Sequence, residues 1–193
     1  VIPDSQRLTL PGARMVHMCG ILAFFSTRGD AGARQDAVAG ALECLHHRGP
    51  DETGVQLVDD DAVFAHKRLS IIDVESSHEP LPYAGGRYLL TFNGEIYNYL
   101  ELREELVRDC GAIFATQGDA EVVAAGYHHW GEGVLTRLRG MFAFVIWDRL
   151  AGKAFGARDY FGIKPMYYMD TPDGVYLASE KKALLELAGP LPV

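Results

Sequence analysis

A cysteine thiol becomes a useful nucleophile only when a neighbouring base or cation helps to remove its proton. The chain has three cysteines, Cys19, Cys44 and Cys110, an odd number with no CxxC spacing. That pattern indicates neither a disulfide framework nor a zinc knuckle, and it fits a reducing, cytoplasmic setting. Taken alone, Cys19 reads as an inert buried thiol opening a strand. Asn93-Gly94 alone reads as a type I′ turn, and Asp119 alone as a helix cap. Arg48 and Asp51, with Arg158 and Asp159, read as structural ion pairs or loop anchors. His46-His47 and His128-His129 suggest metal binding, but adjacent helical side chains point about 100° apart and no HExxH pattern follows. No metal site is expected.

The elements that would position these residues can be read from hydrophobic periodicity. The 193 residues, 48% hydrophobic, suffice for one buried core. A formal charge of −8 disfavours nucleic acid and anionic membranes as partners. The longest apolar run, 141–147, is far short of the roughly 20 residues of a spanning helix and reads as a buried strand. A strand is expected over 21–25 and a helix over 33–47, stopped by Gly49-Pro50. The acidic tract Asp59-Asp60-Asp61 reads as the turn of a hairpin over 54–58 and 62–66. A strand over 87–92 precedes a helix that Asn98 would cap, with Gly111 just past its end. A further helix starts at Asp119 and ends at Gly131. Segments 141–147, 154–157, 166–169 and 175–178 read as a meander of antiparallel strands. The aromatic run Tyr160, Phe161, Tyr167 and Tyr168 reads as core. Strands at both ends with helices between them give an α+β layered domain. No GxGxxG, phosphate-binding P-loop or SGGxDS-type loop is present, so nucleotide binding is not encoded here.

Six segments in fixed order carry more information than any one of them. They are Met18-Cys19-Gly20-Ile21, His47-Arg48-Gly49-Pro50-Asp51, Arg68-Leu69-Ser70-Ile71-Ile72-Asp73, Asn93-Gly94-Glu95-Ile96-Tyr97-Asn98, Gly118-Asp119 and Arg158-Asp159. Together they resemble the class II glutamine amidotransferases, specifically the N-terminal domain of glutamine-hydrolysing asparagine synthetases. The resemblance runs from Met18 to about Leu187. It implies an N-terminal-nucleophile hydrolase fold, a four-layer α/β/β/α sandwich of two antiparallel sheets.

The resemblance also implies a chemistry. Cys19 would attack the side-chain carboxamide of glutamine, form a γ-glutamyl thioester and release ammonia. An α-amine with a pKa near about 8 can act as its base if Cys19 heads the mature chain. Asn93 and the Gly94 N–H would hold the oxyanion. Arg68 would hold the substrate carboxylate and Asp119 its ammonium, with Leu69, Ser70, Ile71, Ile72 and Glu95 completing the pocket. Residues 1–18 are read as a leader, a mis-assigned start or an expression remnant, and 19–193 as the glutaminase domain. No cofactor is expected in this chain. ATP and magnesium would serve a synthetase domain or subunit that makes asparagine from aspartate, and a homodimer is allowed. Three readings stay open beside this one: service to another acceptor, a non-catalytic docking or regulatory module with a blocked nucleophile, and autocatalytic processing of a propeptide.

Overall fold

The computed structural model describes residues 18–69 and 78–188. Among these residues nine strands form two antiparallel sheets. The first contains β1 (Gly20–Ser26), β2 (Glu52–Val58), β3 (Ala62–Arg68), β8 (Tyr167–Thr171) and β9 (Gly174–Ala178) in the order β2-β3-β1-β9-β8. The second contains β4 (Leu81–Tyr83), β5 (Tyr88–Ile96), β6 (Gly140–Asp148) and β7 (Lys153–Arg158) in sequential order. Helices α1 (Gln35–Leu42) and α4 (Lys181–Ala188) cover the first sheet, while α2 (Tyr99–Cys110) and α3 (Asp119–Trp130) cover the second.

Side chains alternate across a strand, so each sheet presents two faces to be buried. On β1, Ile21, Ala23 and Phe25 join Phe64, Leu89, Ala143, Val145 and Trp147 in the seam between the sheets. The intervening Leu22 and Phe24 pack with Val38, Leu42, Leu45 and Ala183 beneath α1 and α4. Leu90, Phe92, Phe144 and Ile146 pack with Leu102, Leu106, Val122 and Val123 beneath α2 and α3. Three apolar layers thus separate four structural layers, and the α/β/β/α sandwich implied by the resemblance is present.

Several elements depart from their sequence expectations. The first helix tightens into a 3-10 turn at Glu43–Leu45, where His46 N bonds Glu43 O at 3.0 Å and Arg48 N bonds Leu45 O at 2.9 Å. Asn98 precedes α2 without capping it: its side chain donates to Arg137 O and accepts from Arg139 N, fastening the segment before β6. The strand expected over 87–92 continues through Asn93 and Gly94 to Ile96, because Gly94 pairs with Phe142 in a continuous ladder. A Cβ on Gly94 would lie 2.5 Å from Met141 O, so only glycine admits this close pairing. The expected four-strand meander is divided: β6 and β7 lie in one sheet, and β8 and β9 in the other.

The crossover between them is held by Asp159. Its carboxylate accepts from the backbone N–H groups of Phe142, Phe161, Ile163 and Lys164 at 2.9 to 3.2 Å. Burial opposes its ionisation, but these donors outweigh burial and hold the carboxyl below its ordinary range. The aromatics expected in the core lie outside it instead, with Tyr160 and Phe161 each 91% exposed and Tyr168 76% exposed. They sit on this crossover and on the edge strand β8.

Among the described residues no helix is long and apolar enough to cross a membrane. Phe64 is fully buried in the seam and meets Phe25 edge to face at 5.6 Å. Phe64→Ala should therefore destabilise the fold by about 3–5 kcal/mol. Leu57→Ala, on a partly exposed position of β2, should change stability by less than about 0.5 kcal/mol. Urea midpoints at equal m-values would check the contrast.

Candidate active site

Cys19 immediately precedes β1, the central strand of its sheet, and several contacts hold it there. Arg48 donates from Nε to Cys19 O at 3.0 Å and from Nη1 to Glu180 Oε1 at 2.9 Å. Desolvation opposes the charge on Glu180, but hydrogen bonds from Arg48, Lys182 and His47 lower its carboxyl to about 2. Next along, Ile21 N donates to Ser179 Oγ at 3.0 Å and Ser179 N to Ile21 O at 2.9 Å. The backbone around the thiol is thus fixed from β9 and from the turn after α1. Cys19 Sγ accepts from Leu69 N at 3.4 Å. Cys44 and Cys110 are free and partly buried, the first in the turn after α1 and the second at the end of α2.

The alternation that makes the seam apolar breaks down at its Cys19 end. On β3, Phe64 is followed on the same face by His66 and Arg68. On β5, Leu89 is followed on the same face by Thr91, Asn93 and Glu95. His66, Thr91 and Asn93 are each at most 1% exposed. Buried polar groups are normally hydrogen-bonded. Asn93 Nδ2 nevertheless has no partner, an amide donor held in reserve inside the seam. Arg68 is buried, with Nη1 donating to Glu52 Oε2 at 3.2 Å. Glu95 is exposed at the open end.

Asp119 is the first residue of α3, with Gly118 in the cap position. Its Oδ2 accepts from Ile96 N at 2.8 Å, which ties the helix start to the end of β5. Burial raises its carboxyl to about 6, against the opposing pull of the Ile96, Asp119 and Ala120 N–H groups and with help from the charge on Glu79. Glu121, two residues on, accepts from Ala115 N, Thr116 N and Thr116 Oγ1 and so shapes the loop leading into Asp119.

Cys19, Leu69, Arg68, Asn93, Gly94, Glu95 and Asp119 therefore lie on elements that meet at one end of the sandwich, since β1 and β3 pack on β5 and α3 packs on β5. Ser70, Ile71 and Ile72 lie outside the described residues. Among the described residues no three His, Cys, Asp or Glu side chains converge on a metal position.

Three residues absent from the sequence-based site are drawn into it. His66 Nδ1 lies 3.0 Å from Glu79 Oε2 and 2.9 Å from Thr91 Oγ1. Glu79 Oε2 also accepts from Phe92 N at 2.6 Å. Lys164 is buried, places Nζ 2.9 Å from Met18 Sδ, and has its ammonium disfavoured by desolvation. The one sequence signal for His66 is its position two residues before Arg68 on a strand, which turns both side chains to the same face. Glu79 carries no such signal, because it arrives from a segment outside the strands.

Comparison with known proteins extends this geometry. The profile of the family described as "Glutamine amidotransferase domain" matches residues 18–191. A putative asparagine synthetase [glutamine-hydrolyzing] of Mycobacterium tuberculosis is 52% identical over 183 residues, covering 88% of this chain and 28% of the relative. Asparagine synthetase [glutamine-hydrolyzing] 1 of Bacillus subtilis is 45% identical over 170 residues, covering 87% of this chain and 27% of the relative. The chain therefore spans little more than a quarter of the length of these relatives. Among solved structures, the glutamine phosphoribosylpyrophosphate amidotransferase of B. subtilis aligns with a TM-score of 0.67 at 21% identity, over 86% of this chain and 43% of its own. At that identity the likeness speaks to the fold alone, the two-sheet sandwich described above. With a profile match from 18 to 191 and identities of this size over most of its length, the chain belongs to the glutamine amidotransferase domain family.

Proposed function

We propose that this domain hydrolyses glutamine to glutamate and ammonia through a thioester on Cys19, and that the ammonia serves ATP-dependent asparagine synthesis in a partner synthetase domain. The observation that carries this reading is the buried, partnerless Asn93 Nδ2 at the Cys19 end of the seam. An unsatisfied buried amide is costly unless something occupies it during function. A transition-state oxyanion is such an occupant.

In the proposed scheme Cys19, freed at its N-terminus by removal of Met18 and everything before it, passes its thiol proton to its own α-amine. The S–Cδ bond to glutamine forms as the carbonyl electrons move onto oxygen, where Asn93 Nδ2 and Gly94 N–H hold them. Collapse restores the carbonyl and breaks the C–N bond. The departing nitrogen takes the proton back from the α-ammonium and leaves as ammonia. Water then cleaves the thioester, releasing glutamate and restoring the thiol. Arg68 and Asp119 take the substrate carboxylate and ammonium, and Glu95 adds a second anion near the ammonium. Leu69 lines the wall beside the sulfur, with Ser70, Ile71 and Ile72 following it in the chain.

Identity to asparagine synthetases supports the choice of acceptor. The exposed Tyr160, Phe161 and Ile163 on the Asp159 crossover supply an uncovered apolar surface on the side of Lys164 and Met18, as a partner domain would require. ATP and magnesium would act in that partner.

Ammonia release from glutamine by chains beginning at Val1 and at Cys19, with the N-terminus verified by intact mass, tests the proposal. Activity is expected only in the chain that starts at Cys19, and Cys19→Ala should abolish it. Activity that survives Cys19→Ala would overturn it. Asn93→Ala should lower kcat by about 10²–10³ with little change in KM, since an oxyanion contact strengthens only in the transition state. A change confined to KM would remove Asn93 from that role.

Asp119 gives a pH prediction. The carboxylate must be ionised to hold an ammonium, and its raised value means that this charge is lost as pH falls through about 6. Glutamine kcat/KM should therefore decline below that pH mainly through KM. Asp119→Asn should remove this limb and show weak binding at all pH values.

A further inference from the structure

We propose that His66, clamped by Glu79, is an electrostatic partner of the Cys19 sulfur, a second activating group of the site that stabilises the thiolate. The inference rests on Cys19 being the nucleophile. It adds a charge to that site and leaves the proton with the α-amine as described above.

Three observations carry it. The first is placement: His66 is 1% exposed, projects into the seam from β3, and pairs across the sheet with Ile21, two residues after Cys19. The second is the clamp. Nδ1 meets Glu79 Oε2 at 3.0 Å and Thr91 Oγ1 at 2.9 Å, while the same Glu79 oxygen is fixed by Phe92 N at 2.6 Å. Glu79 reaches this position because β2 carries Gly54 opposite His66, and a Cβ there would lie 2.1 Å from Glu79 O. The third is what the clamp leaves over. Nε2 is buried and has no hydrogen-bond partner. That nitrogen is the one left on the ring to face a sulfur whose charge changes, since Nδ1 is taken by Glu79 and Thr91.

The electrostatics agree with this geometry. Burial pushes the imidazole down, but the charge on Glu79 and interactions with Cys19 outweigh it and raise the ring to about 10. His66 therefore stays protonated at neutral pH and cannot act as the base. Its cation favours negative charge on sulfur when the thiol gives up its proton and again when the thioester S–C bond breaks. The charged groups facing it are Cys19, Glu79 and, beyond Glu79, Asp119. Arg68 on the same face of β3 is engaged with Glu52. Because His66 acts on the reacting sulfur itself, its removal should alter thiol reactivity even when no substrate is bound.

The test is the rate at which iodoacetamide alkylates Cys19 as a function of pH, mapped by peptide mass in the 193-residue chain, with Cys44 and Cys110 as internal references. His66→Gln and Glu79→Gln should each slow Cys19 alkylation at pH 7 by about tenfold and leave the reference thiols unchanged. Unchanged Cys19 rates in both folded variants would overturn the proposal. Should either variant fail to fold, nitrogen NMR of the His66 ring decides the matter in unmutated chain and Cys19→Ala. A doubly protonated ring at neutral pH whose signals shift when the thiol is removed supports the pairing. A neutral ring, or one indifferent to the thiol, refutes it. The glutaminase reading is tested separately by Cys19→Ala turnover. An inactive Cys19→Ala with unchanged alkylation in the His66 variants would sink this inference alone.

Discussion

Two sheets stacked face to face must fill the space between them with side chains from alternate positions of every strand. Through most of this seam the positions are apolar: Ile21, Ala23, Phe25, Phe64, Leu89, Val145 and Trp147. At one end they are His66, Thr91 and Asn93, all buried, and the free energy of burying them must be met by hydrogen bonds. Glu79 meets much of it, taking His66 Nδ1 and Phe92 N on one carboxylate oxygen and biasing the ionisation of Asp119. What is left unmet, Asn93 Nδ2 and His66 Nε2, marks where chemistry is expected.

The same constraint explains why Cys19, the proposed nucleophile, is placed so rigidly. β1 is paired on both edges, by β3 and β9, so the residue just before it has little freedom. Arg48 on the Cys19 carbonyl and Ser179 on Ile21 restrict it further, with Glu180 fixing the Arg48 guanidinium. Under the proposed scheme preorganisation of this kind matters, because Cys19 and Asn93 come from different sheets and must agree in position before substrate arrives. Asp119 and Glu121 extend the arrangement to the start of α3, where a raised carboxyl sits at the end of β5.

Legibility in the sequence followed locality. The short apolar run of β1 and the β2–β3 hairpin, with its acidic turn at Asp59 and Asp60, could be read directly, as could the glycine, Gly111, that ends α2. The order of motifs carried the family. What could not be read depends on contacts distant in sequence. The division of the last four strands between two sheets follows from Asp159 gathering four N–H groups, a hub that no local period announces. Tyr160, Phe161 and Tyr168 look like core by composition but fall on a crossover and an edge strand. His66 and Glu79 are 13 residues apart, and Glu79 can come this close because Gly54 on β2 leaves room for its backbone.

The claim that the seam's polar end is a glutamine-hydrolysing site centred on Cys19 is tested most directly by covalent capture. The chain beginning at Cys19 would be treated with a diazo-ketone analogue of glutamine, with and without excess glutamine, and the adduct mapped by peptide mass. The account predicts one adduct, on Cys19 sulfur, suppressed by glutamine. Labelling of Cys44 or Cys110 in preference to Cys19, or labelling of Cys19 that glutamine fails to suppress, would contradict it.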